Sequence, residues 1–73
     1  MAIVFSENAQ HRANLIAAEN TRNAAYAAAG GSQSAIKTAD IVYARAALAS
    51  AKANNFGVSQ WQDMLRELGV TGA

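Results

Sequence analysis

Very few side chains in this sequence could do chemistry. His11 is its one histidine, and Glu7 stands four residues before it. On a helix the two share a face, which would offer a carboxylate and an imidazole to a metal ion. Two ligands do not close a metal site, so the pair reads as an exposed couple at a helix start. Ser50 is a hydroxyl that could act as a nucleophile, yet no histidine lies close to it in sequence to take its proton. Gly30-Gly31 is not followed by the lysine of a phosphate-cradling loop and reads as a helix-ending turn. Cysteine is absent, which excludes disulfides and thiolate metal sites. The expectation is a chain with no catalytic residue, no metal and no cofactor, and not an enzyme. Glu19 with Arg22, and Asp63 with Arg66, read as solvated pairs at helical spacing. Tyr26 and Tyr43 read as packing residues whose hydroxyls need a partner.

The segment Ala53-Asn54-Asn55-Phe56-Gly57-Val58-Ser59 has the outline of a helix-turn-helix corner. Ala53, Gly57, Val58 and Ser59 fit that motif. The fit ends there. Asp63 takes the place of a packing aliphatic, and Trp61 stands where a base-reading side chain would project. Arg66 is the one cation of that helix, against Asp63 and Glu67, whereas DNA binding needs cations gathered on one face. Nucleic acid is therefore not the expected partner; a small DNA-binding or regulatory adaptor using residues 53–68 is the alternative reading. The whole chain carries six basic and five acidic residues, a net charge of +1, which provides no strong field toward nucleic acid or an anionic membrane. No stretch approaches a bilayer-spanning apolar run. Residues Met1 to Asn8 lack the basic start and apolar core of a signal peptide. The chain reads as intracellular, or as delivered from inside a cell as part of an assembly.

Behind these side chains stands a framework dominated by one residue. Nineteen of the 73 residues are alanine, and only nineteen more are large apolar residues. Alanine favours helix strongly but contributes little buried area. The composition predicts a single all-α domain over residues 1–73 that draws stability from a neighbouring chain. Ala2-Ile3-Val4-Phe5 reads as a short extended N-terminal arm over residues 1–5. Ser6 or Asn8 then caps a helix over about 7–29. Ser32 or Ser34 caps a second over about 35–54, which Asn54-Asn55 ends in the left-handed conformation. Ser59, with Gln62 in a capping box, opens a short amphipathic third helix over about 60–68, closed by Gly69 with Val70 folding back.

Helical spacing gives each element a face. In the first helix Ala9, Ala13, Ala17, Ala24, Ala27 and Ala28 gather on one side, and Leu15 and Tyr26 point the opposite way. The second helix is apolar around most of its circumference, with Thr38, Arg45 and Lys52 as a narrow polar stripe, so it belongs in the centre. In the third, Trp61, Met64, Leu65 and Leu68 form one apolar stripe and should fold as a lid over the first two. The residues expected to meet a partner are Ile3, Val4 and Phe5 of the arm, Leu15 and Tyr26 on the first helix, and Arg45 and Lys52 on the second.

The run Thr38-Ala39-Asp40-Ile41-Val42-Tyr43-Ala44-Arg45-Ala46, then Ser50-Ala51-Lys52-Ala53-Asn54-Asn55 and, past a turn, Leu65-Arg66-Glu67-Leu68-Gly69 resembles short alanine-rich proteins encoded among the morphogenesis genes of tailed bacteriophages. The resemblance covers the C-terminal two-thirds in style and composition. It implies a virion or assembly component of the head, neck, tail or ejected set, and it carries no functional residues with it. The β-hairpin pattern of small head–tail joining proteins is missing. The expected function is structural: a subunit whose partners are copies of itself, a larger virion protein, or both.

Overall fold

The computed structural model describes the backbone of residues 2–71 and the side chains of residues 9–71. Three helices make up the chain: α1 (Ala2–Ala29), α2 (Gln33–Asn54) and α3 (Val58–Glu67). No strand occurs among the described residues.

The N-terminal arm is corrected. Helix α1 starts at Ala2, so Ile3, Val4 and Phe5 belong to it, and Ser6 and Asn8 lie inside it rather than capping it. Nothing from residue 2 to residue 8 is proline or glycine. Extending an existing helix through a β-branched residue costs only a few tenths of a kcal/mol, and propagation is far easier than nucleation. Met1, and the side chains of Ile3, Val4 and Phe5 expected at an interface, lie outside the described residues.

The other helix ends follow local chemistry. Gly30 and Gly31 both take positive φ, 58° and 87°. Ser32 then caps α2, its hydroxyl accepting from the Ala35 N–H at 3.3 Å. Asn55 ends α2 in the left-handed region at φ 51°, ψ 51°, and the Phe56 N–H returns to the Ala51 carbonyl at 3.0 Å. Helix α3 begins one residue before Ser59: Gly57 holds the cap position at φ 67° with no side-chain cap bond, so the capping box does not form. At its far end the Val70 N–H reaches the Leu65 carbonyl at 2.9 Å and the Gly69 N–H reaches Arg66 at 3.0 Å, the paired bonds of a Schellman close with Gly69 at φ 86°.

Helix α2 is central, as its narrow polar stripe requires, with α1 and α3 each packed on it. Tyr43, Ala44, Ala47, Leu48 and Ala51 of α2 form the core with Trp61 and Leu65 of α3. Leu15 and Ala18 of α1 and Val70 beyond α3 close around it. The Tyr43 and Trp61 rings meet edge to face, centroids 5.7 Å apart. Among the described residues Leu65 is the one large side chain that is wholly buried.

The result is a thin layer rather than a ball. Its extents are 44 × 26 × 13 Å and its radius of gyration is 13.3 Å, against about 11 Å for a compact chain of this length. Its accessible surface is 4820 Å², against about 4300 Å² for a compact monomer of this mass.

Candidate functional site

Helix α1 carries two apolar faces, and the packing decides between them. His11, Leu15, Ala18, Arg22, Tyr26 and Ala29 recur at helical spacing and are buried or half-buried, while Ala9, Ala13, Ala17, Ala24, Ala27 and Ala28 are all exposed. The assignment of Leu15 and Tyr26 to a partner is therefore corrected. Leu15 packs against the chain's own core, and the Tyr26 hydroxyl donates to the Asp40 carboxylate of α2. Larger side chains bury more area per contact, so they take the intramolecular interface and leave the alanines outside. Arg45 and Lys52 are exposed on α2, as the polar stripe predicted.

Between α1 and α2 a polar node crosses the interface. His11 is 5% exposed and Ser50 7%, and His11 Nδ1 lies 2.8 Å from Ser50 Oγ. The Asn14 amide donates to the same oxygen at 2.9 Å. Asn54 donates to Ser50 Oγ at 3.4 Å and to the Ser50 carbonyl at 2.8 Å. Gln10 supports Asn14 from one turn away, at 3.0 Å. The Phe56 ring stacks at a tilt on the imidazole, 5.6 Å between centroids. His11 is thus buried and not the exposed helix-start residue its position suggested. The 39-residue separation from Ser50 hid the pairing from any reading of sequence neighbours.

A serine oxygen beside an imidazole nitrogen is the geometry of a nucleophile with its base. Here the amides of Asn14 and Asn54 both donate to Oγ, at 2.9 and 3.4 Å. The lone pairs that an attack would use are already engaged. No group of three metal-ligating side chains exists among the described residues.

Arg22 departs from the solvated pair expected with Glu19. Its guanidinium lies 4.5 Å from the Tyr43 ring centroid and 5.4 Å from that of Tyr26, a cation–π arrangement. Its Nε is buried without a hydrogen-bond partner among the described residues. The hydrogen bond to Asp40, with burial second, raises the Tyr26 hydroxyl above its ordinary pKa. Burial, then the Glu19 carboxylate, raises Tyr43, with Arg22 acting in the opposite sense. Asp63 and Arg66 form the solvated pair expected of them.

Along the open side of the α1–α2 pair runs a groove. One cavity of about 480 Å³ lies between Ala25 and Ala28 of α1 and Ala35, Ala39 and Val42 of α2. A second, of about 560 Å³, continues it toward Asn14, Ala49 and Ser50. The two share Ala18, Thr21 and Ala46, so the groove follows most of the hairpin. Val42 is 53% exposed in it.

At the α2–α3 corner, Trp61 is 8% exposed and faces Tyr43. It is the anchor of the lid and does not project as a base reader would. No helix among the described residues is long and apolar enough to cross a membrane. Comparison with known protein families, curated proteins and solved structures finds no match to this chain.

Proposed function

We propose that this protein is a non-enzymatic structural or assembly subunit that packs against copies of itself or a larger protein. The observation that carries the reading is the layer 13 Å thick with an alanine-lined groove along its open side. Exposed apolar surface of this kind marks an interaction site. The groove, flanked by Arg45 and Lys52 on the rim of α2, is the association surface, in place of Leu15 and Tyr26. The His11–Ser50 node supports the same reading, because the Ser50 hydroxyl joins α2 to His11 and Asn14 of α1.

We propose further, from the resemblance of residues 38–69 to short alanine-rich phage morphogenesis proteins, that the subunit is a minor component of a bacteriophage virion. The corner at residues 53–68 gains no support as a DNA reader, since Trp61 is spent on the core. The test is quantitative mass spectrometry of purified particles from cells that make the protein. A fixed number of copies per particle is the expected result. Absence from particles, with the chain abundant in the same lysate, would overturn the virion assignment.

A further inference from the structure

We infer that the α1–α2 groove is closed by a second copy of this chain, face to face, giving a four-helix core from two hairpins. The inference rests on the association reading above and names its occupant.

Three observations lead to it. The first is chemistry. The groove is lined by methyl-sized side chains such as Ala17, Ala25, Ala28, Ala46 and Ala49. No carboxylate lines it, and its single cation, Arg22, lies over the Tyr43 ring. Such a face repels no copy of itself, and small residues let helix axes approach to the short end of the ordinary range, about 8 Å.

The second is area. Helix α2 is 22 residues long, so the hairpin face measures roughly 30 Å by 20 Å at standard helix dimensions. That projection of about 600 Å² corresponds to a larger corrugated surface, close to the roughly 800 Å² per partner of a standard interface.

The third is shape, and it favours a copy over a smaller occupant. Two layers of radius of gyration 13.3 Å, each 13 Å thick, stacked with their centres about 13 Å apart have a combined value of about 15 Å. A compact body of twice this chain length has about 15 Å. Pairing turns an over-extended monomer into a dimer of ordinary compactness. A two-fold axis along the groove lays α1 of each copy over α2 of the other, antiparallel.

The experiment is sedimentation equilibrium on the full chain, with circular dichroism at the same concentrations. Ala25 and Ala46 are exposed in the monomer, so Ala25→Glu and Ala46→Glu place a good helix former at solvated sites. In the dimer each buries an unpaired charge twice. The wild type is expected to dimerise, and each groove variant to weaken the dimer on the order of 100-fold with helicity unchanged. Ile16→Glu is the control: Ile16 is 50% exposed and lines neither cavity, and it should change the constant by no more than about threefold, as an ordinary surface substitution does. A wild type that stays monomeric at about 1 mM, a concentration at which even weak specific pairing registers, overturns the inference. So does a dimer that Ile16→Glu weakens as much as the groove variants. A monomer that still enters particles sinks the pairing and leaves the assembly role standing. A groove-dependent dimer absent from particles keeps the pairing and sinks the virion assignment alone.

Discussion

Ser50 shows how a single side chain can hold a weak interface in place. Alanine methyls facing one another offer little resistance to one helix sliding along another, because one methyl is much like the next. The Ser50 hydroxyl ends that degeneracy: His11 and Asn14 of α1 can both reach it at only one register. Ser50→Ala is expected to cost about 1–3 kcal/mol, the usual penalty for leaving buried polar partners unsatisfied. Urea denaturation followed by circular dichroism measures it; a loss below about 0.5 kcal/mol, the range of neutral surface changes, would show that the node does not hold the hairpin. At this scale the sequence was legible wherever the partner was near. Ser32, Asn55 and Gly69 act on residues within a turn or so of themselves, and their roles were readable from type and position. His11 was not readable, since its partner lies on another helix. Arg22 was not readable either: a neighbouring Glu19 suggested an ion pair, and two tyrosine faces available only in the folded hairpin took the guanidinium instead.

The three helices differ in how they are held. Helix α1 is long enough to form on its own propensity, and that strength carried it through Ile3, Val4 and Phe5, where local β preference suggested an arm. Its amphipathic pattern was split between two faces, and nothing in α1 alone could tell which would turn inward. That choice was made by α2, which offers Tyr43, Ala47 and Ser50 to the larger side chains of α1. Helix α3 is the opposite case. It has ten residues, too few to persist in isolation, and a clean apolar stripe that made its docking readable in advance. Trp61 anchors it. Trp61→Ala is expected to cost about 3–5 kcal/mol, the range for losing a large buried aromatic. That approaches the whole stability of a domain this small. The loss should appear first as fraying of residues 58–70 in amide hydrogen exchange, with α1 and α2 protected longer. Uniform loss of protection across all three helices would show that α3 is integral to the hairpin rather than a lid upon it.

At the scale of the molecule, composition was informative in a way that no motif was. Equal numbers of alanines and large apolar residues implied a helical chain short of interior, and the structure spreads that limited supply over a layer. Tyr43, Leu48, Trp61 and Leu65, with Leu15 and Val70 packed beside them, hold the three helices edge to edge. The flatness itself was out of reach of the sequence, because it depends on where α1 and α3 sit around α2. Each helix by its own pattern would have been equally content in a closed bundle.

The thinness of the layer has a thermal consequence. Unfolding raises heat capacity in proportion to the apolar surface newly exposed, about 0.45 cal/mol/K per Å². A layer that already shows water some 500 Å² more than a compact monomer would (4820 Å² against about 4300 Å²) has correspondingly less left to expose. An average chain of 73 residues would have a heat-capacity change of about 0.9–1.1 kcal/mol/K, and since little over half of the extra surface is apolar and its polar remainder acts in the opposite sense, the monomer here should fall short of that by about 0.1 kcal/mol/K. Thermal melts across a range of urea concentrations, run dilute enough to keep the chain single, would measure it; a value of about 1 kcal/mol/K or more would mean that the free chain is rounder in solution. A small heat-capacity change flattens the curve of stability against temperature. The lone layer's stability would then vary somewhat less with temperature than a compact monomer's, and covering its open side would restore the ordinary curvature.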